Sequence, residues 1–204
     1  MKKVLFFLAF CIGSNGLLAQ ETTDQSSEGF FKKENLFVGG TVNAQFGNQT
    51  TALGFSPYVG YSLGKFLDVA ISPGINYVSQ RDYPYLGDRI RQTTYGPGGF
   101  VRMFPIKSIF LIGQYEFNFL NNKYIPYGAT GSAVEKYKYD AHSFLVGGGF
   151  ASGRDFNYQK SYYYFSIMWD IGQAPHSPYK DNLDRAVPII RAGYNIALFQ
   201  GRYY

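Results

Sequence analysis

From about Leu36 to Phe199 the chain alternates residue by residue, in eight stretches that each end at turn residues. Leu53, Phe55, Pro57, Val59 and Tyr61 form one row; Gly54, Ser56, Tyr58, Gly60 and Ser62 form the other. Successive side chains of a strand point to opposite faces, so each row is one face of a sheet. One face is large and apolar, the other small and nearly uncharged. A soluble sheet would carry Lys, Glu and Asp on its wet face, and few are present. The pattern predicts strands with lipid outside and a crowded polar interior. The eight strands are predicted at 35–47, 52–63, 66–79, 90–104, 108–120, 139–151, 158–172 and 187–199.

The connections add a second signal. Leu63-Gly64-Lys65, Pro105-Ile106-Lys107 and Ser152 to Asp155 are short. They alternate with Gly47 to Thr51, Gln80 to Arg89, Asn121 to Lys138 and Gln173 to Ala186, of which three are long. Alternate links of an antiparallel barrel lie at opposite ends, so one rim is tight and the other elaborated. Outer-membrane barrels share this asymmetry, with short periplasmic turns and longer outer loops. The fold class expected is all-β, an eight-stranded antiparallel up-and-down transmembrane β-barrel.

Alternation also sorts the side chains. Ile109, Leu111, Gly113, Tyr115, Phe117 and Phe119 are expected to face out, and Gln114, Glu116 and Asn118 in. Tyr163, Phe165, Ile167, Trp169 and Ile171 face out, Ser166 and Asp170 in. Ile190, Ala192, Tyr194, Ile196 and Leu198 face out, Arg191 and Asn195 in. Asp68 and Arg102 also fall on inward rows. An eight-stranded barrel is just wide enough for side chains to fill it or to hold one small ligand. A buried charge needs a partner, so Asp68, Glu116 and Asp170 are candidates to pair with Arg102 and Arg191. This network would either rigidify a plugged lumen or line a ligand-binding one. Inward glycines (Gly39, Gly54, Gly60, Gly74, Gly96, Gly98) ease curvature or leave room for a bound molecule.

The first residues change the picture. Lys2 and Lys3 precede an apolar run, Val4 to Ile12, too short to span a bilayer. With Leu17-Leu18-Ala19 they read as a signal peptide over 1–19, cleaved before Gln20 on export. A polar, flexible periplasmic leader is expected over 20–34, and the barrel domain over 35–204. The chain's single cysteine, Cys11, lies in the signal segment, so the exported chain holds no disulfide and no thiol chemistry. Aromatic residues make up 19% and charged residues 16%; Tyr suits membrane interfaces. The net charge of +5 is too small and scattered to suit nucleic acid.

On these features the chain resembles the small outer-membrane β-barrel proteins of Gram-negative bacteria, which include the outer membrane protein X and W types and porin-like proteins. The resemblance covers about 165 residues, from the eight strands and their loop asymmetry. Arg191-Ala192-Gly193-Tyr194-Asn195-Ile196-Ala197-Leu198 follows the family's terminal assembly signal, with Gly193, Tyr194, Ile196, Leu198 and Phe199 at the read positions. It departs from that signal in Leu198, where an aromatic is usual, and in the tail after Phe199. The resemblance implies location in the outer membrane, contact with its lipid, and insertion by the barrel-assembly machinery. It implies no single activity.

Candidate chemistry is sparse. Lipid-modifying barrels carry His, Ser and an acid near the outer rim, with His and Ser separated by one residue. Here His142 and Ser143 are adjacent and point to opposite faces, so no catalytic residue, metal site or cofactor is expected. Tyr83, Tyr85, Tyr124 and Tyr127 lie in expected outer loops, where tyrosines favour contact with proteins or glycans or sit at headgroup level. The reading is an outer-membrane structural or interaction protein whose loops meet a membrane protein or surface glycan. The alternatives are a small-molecule binding or transport barrel, and an accessory subunit of a secretion or assembly complex.

Overall fold

The computed structural model describes residues 32–47, 50–82, 85–128, 134–157, 160–172, 174–180 and 185–199. The signal and most of the leader (1–31), Tyr83, and the tail from 200 lie outside the described residues. A single 3-10 turn (Lys33–Asn35) leads into β1 (Leu36–Gly47). Then come β2 (Thr50–Ser62), β3 (Leu67–Ile71 continued by Gly74–Arg81) and β4 (Arg89–Gly96 continued by Gly98–Ile106). β5 (Ile109–Ile125), β6 (Glu135–Ser152), β7 (Tyr162–Asp170) and β8 (Ile189–Ala197) complete the set. Each strand pairs antiparallel with the next, and β1 pairs with β8. The result is a closed eight-stranded antiparallel β-barrel, in which each strand has a partner on both sides over part of its length.

Both interruptions fall at proline, which cannot donate to a ladder. Pro73 breaks β3 and Pro97 breaks β4. The ladder resumes at once: the Ser72 amide donates to Gly98 O at 2.8 Å, and the Phe117 amide to Pro97 O at 2.9 Å.

Two expected connections differ. The link from Asn121 to Lys138 shrinks to 126–134, because β5 and β6 run on as a paired ladder to Tyr124↔Glu135. Asn121, Asn122 and Lys123 also pair with Thr93, Gln92 and Arg91 of β4. Polar residues on both faces of this extension read as loop in the sequence, yet main-chain pairing on both sides holds them extended. The β6–β7 link is longer than expected, spanning 153–161.

Outward, each strand shows large apolar side chains. Val42, Phe55, Ile71, Val101, Leu111, Phe144, Phe165 and Ile190 are each between 44% and 72% exposed. Between the levels of Ile109 and Phe117, outward positions among the described residues carry no Asp, Glu, Lys or Arg. Above them lies an aromatic row, with Tyr95 and Phe119 ring centroids 5.7 Å apart and Phe117 and Phe119 4.8 Å apart.

The interior corrects the expectation of a small, polar inward face. Phe37, Tyr58, Phe100, Phe104, Phe110, Tyr162 and Tyr164 are all buried inside. Glycines make room for them. A Cβ on Gly39 would lie 2.3 Å from the Tyr58 ring, one on Gly60 2.2 Å from Phe37, and one on Gly193 2.3 Å from Tyr164. The space left by these glycines is thus filled by neighbouring rings.

Candidate functional site

The interior charges sit in three layers. In the lowest, Asp68 accepts hydrogen bonds from Ser62 Oγ at 2.8 Å, Arg154 Nη1 at 3.2 Å and the Tyr162 hydroxyl at 3.3 Å. Arg154 also donates to the Lys65 carbonyl at 2.9 Å and lies 3.7 Å from the Phe104 ring centre. It comes from the β6–β7 link, not from a strand. The Gly153-Arg154-Asp155 run spells a turn, so no period in the sequence marks Arg154 as an interior residue.

The middle layer is Arg102, 1% exposed. Among the described residues it meets no carboxylate. Its guanidinium lies 4.0 Å from the Tyr164 ring centre and 4.2 Å from that of Phe100, with Tyr58 and Phe110 within 5.5 Å. Arg102 Nε and Nη1 lack a hydrogen-bond partner among the described residues. Ring faces, negative at their centres, take the place of a counter-ion. Thr41 Oγ1 and the Tyr164 hydroxyl, 2.7 Å apart, tie this cage to β1.

In the upper layer Arg191 donates to Glu116 Oε1 at 3.0 Å and to Gln114 Oε1 at 2.9 Å. The Tyr179 hydroxyl, from the inturned β7–β8 link, donates to Glu116 Oε2 at 2.6 Å. Among the described residues Asp170 pairs with no arginine, contrary to expectation. It accepts from the amides of Phe144 (3.0 Å) and Gly172 (2.9 Å) and from Ser177 Oγ (2.5 Å), so it anchors the same link. Of the five interior charges expected to pair among themselves, only Glu116 and Arg191 do so.

Beside the upper layer the wall is incomplete. The β1–β8 ladder stops at Val42↔Ala192, and above it β1 pairs with β2 alone. A cavity of about 200 Å3 opens there, lined by inward Asn43, Asn76, Thr94 and Ile189 and by outward Ala44 and Ile190. Lining from both faces places it through the wall. Asn76 Oδ1 and Thr94 Oγ1 are buried without a hydrogen-bond partner among the described residues.

At the elaborated rim, Tyr85 and Tyr127 are 73% and 81% exposed. Tyr124 is not a loop residue. It lies in β5, one residue before the end, and its hydroxyl donates to Asp88 Oδ2. The Tyr127 amide donates to Asp88 Oδ1 at 2.9 Å, so Asp88 clamps two neighbouring links together. These two hydrogen bonds hold the Asp88 carboxyl below the usual carboxylate range. A lowered folded-state value means the clamp's contribution is complete above the unfolded value of about 3.9. It is lost as pH falls through the folded-state value. An NMR titration of the Tyr127 amide is expected to give a midpoint below about 3.9; a midpoint at or above it would sink the clamp.

No protein-family model matches this chain. No curated protein matches it. Among solved structures it is similar to the N-terminal β-barrel domain of Pseudomonas aeruginosa OprF, at 9% identity and a TM-score of 0.42, covering 79% of this chain and 96% of that one.

On β8, Tyr194 and Ile196 point outward and are 37% and 43% exposed; Leu198 and Phe199, just past its end, are 46% and 48% exposed. Gly193 faces in, where Tyr164 crosses it. His142 and Ser143 diverge: His142 Nδ1 meets the Tyr115 hydroxyl at 2.5 Å on the outer face, while Ser143 is buried, 3.3 Å from Asn118 Nδ2.

Proposed function

We propose that this chain is an integral outer-membrane β-barrel protein, exported by a signal over 1–19, that acts as a structural and interaction component through its outer rim. The reading rests on one observation: large apolar side chains exposed on the outside of all eight strands, with charge confined to the interior at those levels. Exposed apolar patches on a soluble monomer rarely exceed a few hundred Å2, and a continuous belt of them calls for lipid. The layers around Asp68, Arg102 and Glu116 support a lumen closed by side chains, and so an anchor in preference to a pore. Tyr85 and Tyr127 supply exposed aromatic surface for a protein or glycan partner. Nothing in this reading requires catalysis or a cofactor.

The test is fractionation of the expressing cells, with gel mobility before and after boiling and single cysteines at Tyr127→Cys and Lys65→Cys. The natural cysteine, Cys11, lies in the signal segment, so on the exported chain each introduced thiol reports alone. Outer-membrane location, a mobility shift on boiling, and impermeant labelling of intact cells only at position 127 are expected. A soluble periplasmic or secreted product without a shift would overturn the reading.

The through-wall cavity supports a second reading, a small-molecule site reached sideways. Its volume exceeds the roughly 150 Å3 that suffices for benzene, and Ala44, Val78, Ile189 and Ile190 give it apolar walls.

A further inference from the structure

Just above the aromatic row, the outward face of β3–β6 changes from apolar to strongly basic. Alternation from the outward Tyr77 and Tyr95 places Arg81, Arg89, Arg91, Lys123, Lys136 and Lys138 on that same face. The register sets like charges side by side: Arg81↔Arg89, Arg91↔Lys123 and Lys123↔Lys136. Directly opposed like charges destabilise a sheet, so a functionless face would not accumulate them. Among the described residues none of the six has an ion-pair partner. Carboxylates close by are otherwise engaged: Glu135 by the Tyr137 hydroxyl, Asp82 by the Gly87 amide, Asp88 by Tyr124 and Tyr127. Asp140, opposite Phe119, is the acidic residue on the outward face at this end of the ladder.

The charges also share a concavity. A cleft of about 350 Å3 is lined by Arg91, Lys123, Lys136 and Lys138 together with Tyr77 and Asn121. Arg91 Nε is buried without a hydrogen-bond partner among the described residues. An arginine fork flanked by lysines is the donor set that phosphate oxygens favour. The cleft lies in the side wall: Lys138 stands two residues above the level of Tyr95 and Phe119, and Arg91, Lys123 and Lys136 four, which is about 7 and 13 Å along a tilted strand. Aromatic side chains mark the membrane interface, so that height is the level of lipid phosphates.

We propose that this cleft holds the phosphate headgroup of an anionic lipid of the surrounding leaflet. The proposal rests on the membrane reading above. The side-wall position, continuous with the apolar belt, favours a lipid over a soluble anion.

The experiment is native mass spectrometry of the barrel in neutral micelles titrated with phosphatidylglycerol. The wild type is compared with Arg91→Gln/Lys123→Gln/Lys136→Gln/Lys138→Gln and with Lys107→Gln at the opposite rim. The quadruple variant is expected to bind at least about tenfold more weakly, and Lys107→Gln to bind as the wild type does. Removal of repelling charges is expected to leave the quadruple variant at least as stable as the wild type in phosphatidylcholine vesicles. Only the wild type should then gain stability when phosphatidylglycerol is added. Equal binding by wild type and quadruple variant overturns the proposal, as does an equal gain from inorganic phosphate with neutral vesicles. Failure of the wild type to insert into any vesicle would instead refute the membrane reading.

Discussion

Asp68→Ala is expected to lower the unfolding free energy of the vesicle-inserted barrel by about 3–5 kcal/mol, the cost of breaking a buried pair from one side. Asp68 is fully buried and receives Ser62, Arg154 and Tyr162. Without it Arg154 keeps the Lys65 carbonyl and the Phe104 and Tyr162 rings but no carboxylate among the described residues, and its charge stays in a dry interior. Two neutral hydroxyls also lose their acceptor, each adding a desolvation cost. Replacement of both partners, Asp68→Leu with Arg154→Met, is expected to recover most of the loss, because no charge is then stranded. Urea titration of the three forms measures this. A loss under about 1 kcal/mol for Asp68→Ala, the range of an exposed ion pair, would mean that water reaches the layer.

The second large effect is on the outer face. Val101 is 46% exposed and pairs across from Gly113, midway along the apolar belt. Val101→Arg is expected to cost about 2–4 kcal/mol, the value for arginine at the bilayer midplane. On a water-facing surface the same change would fall within about 0.5 kcal/mol. The protein's one tryptophan, Trp169, is 44% exposed on the outside of β7, so its fluorescence follows insertion and unfolding in both forms. A cost near zero would place Val101 in water and remove the main support for a membrane protein.

How much of this was legible in the sequence depends on the kind of signal. The eight strands and their faces were, since a period of two with a large and a small row leaves little freedom of register. The extended β5–β6 hairpin was not, because Asn121 to Lys123 and Lys136 to Lys138 are polar on both faces and look like a loop. The aromatic interior was partly written there: Phe37 shares parity with Gly39, and Tyr58 with Gly60. Which ring would fill which glycine's space depends on cross-strand register, which no single strand encodes. Arg154 was hidden, since a turn residue that folds inward leaves no periodic trace. Arg102 misled for a physical reason: a buried guanidinium can be held by the quadrupoles of surrounding rings, here four of them, without a carboxylate beside it. Tyr124 reads as a loop residue for the same reason as Asn121 to Lys123 before it, and its bond to Asp88 of the β3–β4 link leaves no mark in the local sequence.

The short β1–β8 ladder has a consequence for how the molecule is made. It joins six residue pairs, against sixteen between β5 and β6. Every other ladder links strands that follow one another in the chain, so those can zip as hairpins at small loop-closure cost. The β1–β8 ladder instead brings together residues such as Val42 and Ala192, from opposite ends of the barrel sequence, and carries nearly the whole entropic cost of ring closure. With the longest closure and one of the shorter ladders, this is where the ring shuts last during folding and parts first under stress.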